Sequence, residues 1–378
     1  MTFILTEDQQ MLRDTAMAFA RDELPVSRLR ALRDENENGV DAEARAKLAE
    51  LGFFGVLVPE AQGGSAFGMV GVGQIMEAQG RTLAATPLLQ TAIIGASMLT
   101  LGGSDAQKDT WLPKLATGET AAALALDEGA HHNPTAIATT AKPDGDAYVL
   151  SGSKRFVPNG QFADMLITVA RTSGQAGDKA GLSLFLVPAQ TDGLSVQPLN
   201  TLDSHGAADL VLDDVQVGAD ALIGTAGEGF ALLDQVLDRA RIGLAAEMLG
   251  SATMAFEMTL EYLQTRKQFG QLIGSFQGLQ HRAAIMFTEL ELTRSSVAAA
   301  LSAVDAERDD VGQLASLAKA RASETLHLVS NECVQMHGGI GMTDVHDAGL
   351  ILKRARVAEA LYGGDAFHKD RYAALNGF

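Results

Sequence analysis

The feature that most limits the fold is a double change of hydrophobic period along the chain. Through the first 118 residues apolar side chains recur at helical spacing, as in Met11, Leu12, Ala16, Phe19 and Ala20. Thr6 ahead of Glu7 and Asp8 predicts a helix N-cap with acids in the first turn. A loop at residues 59–64 interrupts the pattern, which resumes over 70–80 and 88–101. Near Gly118 the texture changes to short β-branched runs at 148–150, 165–169, 182–187, 194–196 and 210–217. Turn signals separate them at Pro143-Asp144-Gly145-Asp146, Pro158-Asn159-Gly160 and Thr191-Asp192-Gly193. After Gly227-Glu228-Gly229 the helical period returns, with Phe230, Leu233, Val236, Leu237, Ala240 and Leu244 on one face.

Two further runs, 278–306 and 310–337, are far longer than the usual helix of ~12 residues. Helices of that length bury their apolar faces on one another, which predicts an antiparallel bundle. The expected fold is α+β and multidomain. It has an N-terminal helical domain over 1–118, a middle antiparallel β-barrel or sandwich over 119–226, and a C-terminal four-helix bundle over 227–378. Strands that do not alternate with helices disfavour a Rossmann fold.

Charge narrows the function classes. The 47 Asp and Glu outnumber the 29 Lys and Arg, giving a net charge of −18. That balance argues against nucleic acid or an anionic membrane as partner. Apolar stretches such as 121–126 fall well short of the ~20 residues a bilayer span needs. The first ten residues lack the basic-then-apolar order of a secretory signal, so a cytoplasmic location is expected. Cys333 is the single cysteine and is expected as a small core residue. His131 and His132 have no Cys or Glu at ligand spacing, so no metal site is expected.

Two segments carry candidate chemistry. In Tyr262-Leu263-Gln264-Thr265-Arg266-Lys267-Gln268-Phe269-Gly270 a helix ends on two cations and the chain turns at Gly270. Phe276-Gln277-Gly278-Leu279-Gln280-His281 follows, with Ser275 placed to cap the next helix. A guanidinium beside a helix N-terminus suits a pyrophosphate. By spacing alone the simpler reading, two cations complementing a helix C-terminus, is favoured. The second segment is Gln335-Met336-His337-Gly338-Gly339-Ile340-Gly341-Met342. Its glycines fit a helix C-cap and equally allow a ligand to approach the backbone.

Taken together, these segments resemble the acyl-CoA dehydrogenase family. Its hallmarks include Arg-x-x-Phe-Gly, then Phe/His-Gln-x-x-Gln, then Gln-x-x-Gly-Gly-x-Gly about 70 residues on. The resemblance extends over nearly the whole chain, because the α–β–α order and the segment lengths also match. It implies an FAD flavoprotein assembled as a dimer or tetramer, with FAD lying across a subunit interface. Arg266, Gln268, Phe269, Phe276, Gln335, Gly338 and Gly339 would hold the pyrophosphate and adenosine half of a neighbour's FAD. Asp238 and Arg241 would lie by the CoA portion of an acyl-CoA substrate; surface charges on a long helix are the alternative. An electron-transfer flavoprotein is the implied electron acceptor.

The chain also departs from the family pattern. The family's catalytic glutamate follows a Tyr and precedes Gly-Thr, whereas this chain reads Leu361-Tyr362-Gly363-Gly364-Asp365. Gly363, or Tyr362 with a one-residue shift, takes its place. The alternative base position on an earlier helix is Ala240. Glu359 and Asp365 are the nearest carboxylates, so no catalytic residue is assigned. The family's Thr-Glu-Pro-x-x-Gly-Ser-Asp becomes the stretch from Leu126-Asp127-Glu128-Gly129 to Pro134, and its Trp-Ile-Thr-Asn-Gly becomes Phe156-Val157-Pro158-Asn159-Gly160. Pro158 brings neither hydroxyl nor N–H. Base and flavin-ring contacts are thus lost while adenosine-side contacts persist. This pattern resembles the small subunit of bacterial two-gene acyl-CoA dehydrogenases of the pimeloyl-CoA or sterol side-chain type. The alternatives are a flavin-dependent monooxygenase or oxidase of the same fold, and a non-catalytic structural subunit.

Overall fold

The computed structural model describes residues 4–35 and 41–378; residues 1–3 and 36–40 of the N-terminal segment lie outside it. In chain order come α1 (Glu7–Glu23), α2 (Val26–Glu35), α3 (Ala42–Glu50), α4 (Gly68–Thr82), α5 (Ala96–Gly102) and α6 (Asp105–Ala116). The strands follow: β1 (Ala122–Ala125), β2 (Thr140–Asp144), β3 (Ala147–Pro158), β4 (Met165–Arg171), β5 (Leu182–Pro188), β6 (Leu194–Leu199), β7 (Ala207–Gly218) and β8 (Leu222–Ile223). The chain then forms α7 (Phe230–Thr265), a ribbon of β9 (Lys267–Gln268) and β10 (Gln271–Leu272), α8 (Gln277–Asp305), α9 (Val311–His337), α10 (Ala348–Ala360) and α11 (Asp365–Leu375). This is the expected succession of helices, sheet and helices. Thr6 caps α1 through a capping box, accepting from the Gln9 N–H at 3.2 Å while its own N–H donates to Gln9 Oε1.

The residues gather into two compact units. One holds the described residues up to Arg30 with Met69–Ala84 and Arg241–Phe378; the other holds the described part of Ala31–Gly68 with Ala85–Ala240. In the second unit the strands form one sheet in the order β6-β7-β3-β2-β4-β5-β8, with β1 beside β4. Pairing is antiparallel except for β1 on β4 and a single position of β2 on β4. Leu150, Leu166, Phe185, Val187, Leu210 and Val215 fill its core. All seven residues of β4 are buried, as expected for a strand covered on both faces.

A buried strand whose second edge has no neighbour must satisfy its N–H groups by other means. For β1 they go to a fully buried π-helix, Leu89–Gly95, which occupies part of the 88–101 run expected to be helical. The Ala122 N–H donates to Thr91 Oγ1 at 3.1 Å, and the Leu124 N–H donates to Gln90 Oε1 at 3.0 Å. Lys154, with no exposed surface, donates to Glu128 at 2.6 Å and to the Leu126 carbonyl at 3.2 Å.

In the first unit α9 packs against α8, α10 and α11. Helices α4 and α7 touch backbone to backbone: a Cβ on Gly80 would lie 1.9 Å from Glu247 O, and one on Gly250 would lie 2.0 Å from Glu77 O. Buried Glu247 and Arg354 pair at 2.6 Å and join α7 to α10. Cys333 is buried, as expected, and burial pushes its thiol up to about 11. Among the described residues no helix is long and apolar enough to cross a membrane, and no cluster of three metal-ligating side chains occurs.

Gln90→Leu leaves the Leu124 N–H buried without that acceptor. The cost is about 1–3 kcal/mol, and a thermal melt of the variant is expected to show the corresponding drop in Tm.

Candidate functional site

Helix α7 ends where its Arg266 N–H closes on Tyr262 O at 2.9 Å. The chain then reverses in the β9–β10 ribbon, with Gln268 opposite Gln271 and Lys267 opposite Leu272. The two tip residues, Phe269 and Gly270, have φ of 51° and 80°, the signs of a type I′ turn. Glycine adopts that conformation freely. A phenylalanine there costs roughly 1–2 kcal/mol, and this residue is 92% exposed, its ring edge-on to Phe276 with centroids 6.2 Å apart.

Helix α8 begins without a side-chain cap. Here the structure corrects the sequence expectation: the Ser275 hydroxyl turns back to the Leu272 carbonyl at 2.7 Å, within its own turn. Gln280 is likewise spent on the turn, donating to Gly274 O at 2.9 Å. Arg266, Gln268, Phe269 and Gln277 are exposed and Phe276 is half-buried.

At the end of α9, Gln335, Gly338 and Gly339 are also exposed. Gly338 has φ 64° and ψ −135°, a backbone open in practice only to glycine. Gly339 has no positive φ, and a Cβ added to it would meet no atom within 4 Å, so neither backbone conformation nor packing around it requires glycine. Gly341 is different: a Cβ there would meet Val334 O at 2.8 Å. The Tyr262 and His337 rings stack at 4.5 Å and 30°, so the ends of α7 and α9 lie side by side. A guanidinium, two amides, an exposed aromatic ring and bare glycine backbone therefore face outward together. That donor set fits an anionic dinucleotide.

The turn between α10 and α11 is built in the opposite sense, closed inward. Tyr362 and Gly363 have φ of 55° and 107°. Fully buried Arg241 and His368 each bond Tyr362 O, at 3.2 and 3.1 Å. Lys319 Nζ donates to the carbonyls of Ala358, Glu359 and Gly363 at 3.0, 3.1 and 3.0 Å. A Cβ on Gly363 would lie 2.4 Å from Phe367 Cδ1 and 3.0 Å from His368 Nε2. The position that could have carried a carboxylate is thus filled by neighbouring rings.

The nearby acids are engaged elsewhere. Glu359 pairs with Arg356 at 2.7 Å and His327 at 3.2 Å. Asp365 pairs with Lys369 at 3.1 Å, and that hydrogen bond holds its carboxyl below the usual range. Ala240 is buried, and neither Asp238 nor Arg241 is a surface charge, being 6% and 0% exposed. In the second unit both acids of the 126–134 stretch are already engaged. Asp127 accepts from His132 at 2.9 Å and from the Asn133 N–H at 3.1 Å. Glu128 takes Lys154 and the N–H groups of Ala138 and Thr139.

Sequence reasoning missed Lys319, His368 and Tyr262. The one available signal was a lysine at position 319 within an apolar helical stripe, Ala315, Ala318 and Ala322.

Comparison with known proteins places these features in context. Residues 6–119, 122–215 and 227–374 match the N-terminal, middle and C-terminal domain models of acyl-CoA dehydrogenase, respectively. The chain is 33% identical over 365 residues to "Probable acyl-CoA dehydrogenase YngJ" of Bacillus subtilis, covering 95% of each chain. It superposes on butyryl-CoA dehydrogenase from Megasphaera elsdenii with a TM-score of 0.90 and 27% identity, covering all of both chains. A chain of the ChsE4-ChsE5 complex from Mycobacterium tuberculosis gives the same TM-score, identity and coverage.

Burial, then the Arg241 charge, pulls the Lys319 ammonium down from 10.5 to about 7. Between those values the unfolded chain holds a proton that the folded chain has released, so this group makes stability rise with pH across that window. Lys319→Met removes that dependence. Melting curves between pH 7 and 9 are therefore expected to show the wild-type advantage over the variant growing with pH.

Proposed function

The chain belongs to the acyl-CoA dehydrogenase family, and from that premise we propose that it is the base-lacking component of a heteromeric enzyme. Members of the family are FAD-dependent oxidoreductases acting on CH–CH groups. In this reading the assembled enzyme introduces an α,β double bond into an acyl-CoA, and FAD accepts the hydride when bound. The observation that carries the reading is the contrast between two turns. The Gly363 turn has no room for a carboxylate, while the Arg266 and Gly338 turns present their polar groups outward.

Arg266 would pair with the pyrophosphate, Gln268 and Gln335 would supply amide donors, and Phe269 and Phe276 would face the adenosine. Gly338 and Gly339 would let the dinucleotide rest against the backbone. Asp238 keeps its assignment to the CoA side, whereas Arg241 acts through the Tyr362 turn that it holds. A homologous subunit brings the carboxylate that removes the α-proton, together with the pocket for the flavin ring. Exposed Phe269, Ile340, Met342 and Val345 supply apolar surface for that assembly, as dimer or tetramer. Electrons would leave to an electron-transfer flavoprotein, in the cytoplasm.

The test is acyl-CoA dehydrogenase activity of the purified chain alone and mixed with a base-bearing homologous subunit. Activity is expected only in the mixture; turnover by this chain alone would sink the proposal. Arg266→Ala in the mixture is expected to weaken FAD binding by roughly 10- to 100-fold, the worth of a charge-assisted hydrogen bond.

A further inference from the structure

His337 does not belong to the outward-facing set, yet it touches both of the segments that do. Only 4% of it is exposed. Its ring lies between Tyr262, at 4.5 Å and 30°, and His346, at 4.4 Å and 50°. Its Nδ1–H donates to the Cys333 carbonyl at 2.7 Å, which fixes the ring plane against the last turn of α9. His346 is fixed in turn, its Nδ1 accepting the Ala348 N–H at 3.2 Å.

His337 is joined to both outward turns. Tyr262, on which it stacks, lies one helical turn before Arg266 and accepts the Arg266 N–H on its backbone carbonyl at 2.9 Å. Gly338 follows His337 directly, and Gly341 is packed so closely that a Cβ there would lie 3.0 Å from His337 Cβ. The glycine loop is therefore packed back onto the last turn of α9, against the same residue whose ring stacks on Tyr262. Burial holds His337 below its ordinary pKa of 6.5, which keeps the stacked ring neutral near pH 7.

We propose that His337 is a positioning residue that locks the Arg266 turn to the Gly338–Gly339 turn, so that the two bind FAD as one preformed clamp. The proposal rests on the reading that these turns hold FAD, and it adds a residue that touches none of it. Two mobile turns would each have to be ordered when the dinucleotide binds; a single stacked column removes that cost beforehand.

The test uses the assembled heteromer, with FAD affinity measured by flavin fluorescence and the melting of the FAD-free assembly followed in parallel. His337→Ala is expected to weaken FAD binding about five- to tenfold, in line with the worth of an aromatic pair. His337→Phe, which keeps the stack and loses the hydrogen bond, is expected to restore affinity to within about twofold of wild type. Tyr262→Leu breaks the stack from the other side and is expected to match His337→Ala, and it decides the matter if the alanine variant does not fold. Unchanged affinity in His337→Ala or Tyr262→Leu, while Arg266→Ala loses FAD, would overturn the coupling and leave the site intact. Weakening in His337→Phe as large as in His337→Ala would overturn it too. Unchanged affinity in Arg266→Ala would instead refute the site on which the proposal rests.

Discussion

Helix α9 must bury a lysine and a histidine, and the C-terminal unit is arranged around satisfying them. A polar group taken out of water without partners costs several kcal/mol, so each of these side chains gathers groups from other elements. Lys319 collects the last carbonyls of α10 and of the turn beyond it. His337 collects Tyr262 from α7 and His346 from the loop before α10. Eighteen residues of helix separate them, about 27 Å at 1.5 Å per residue. One rigid rod thus fixes both the turn that lacks a base and the turns assigned to the dinucleotide.

That arrangement gives physical content to the contrast between an inward-closed turn and the outward ones. Around Gly363 the carbonyls of Tyr362 and Gly363 accept from buried side chains, and two rings fill the space beside the backbone. In the 126–134 stretch Asp127 is engaged by His132 and Asn133, and Glu128 by Lys154 of β3. By contrast, a strained phenylalanine stands 92% exposed at the tip of the β9–β10 ribbon. An assembly that covers that ring gains from it, because burying such a ring returns roughly 1.5–3 kcal/mol.

Much of the fold was legible in the sequence because periodicity reports burial directly. The change from helical spacing to short β-branched runs and back located the sheet between two sets of helices, and Thr6 ahead of Glu7 and Asp8 marked the first helix start. The π-helix at Leu89–Gly95 was not legible as such: a segment buried on every side shows no contrast between faces, so its hydrogen-bond register leaves no pattern. Ser275 had the chemistry of a cap, but its hydroxyl found a closer acceptor at Leu272. The residues around the two outward turns could be named from motif, since local spacing defines them. Lys319 and His368 could not, because their partners are backbone carbonyls brought up by other parts of the chain. Gly363 was visible as the loss of an acid; that Phe367 fills its place was not.

The proposal that this chain holds one half of an FAD site requires a homologous subunit to supply the other half. The ratio of FAD to protein, from the visible spectrum and total amino-acid content, reads this out for the chain alone and for the purified heteromer. With the site divided in this way, the isolated chain carries essentially no flavin and the heteromer holds one FAD for each pair of unlike chains. One FAD per chain in the isolated protein would show instead that the site is complete within copies of this chain.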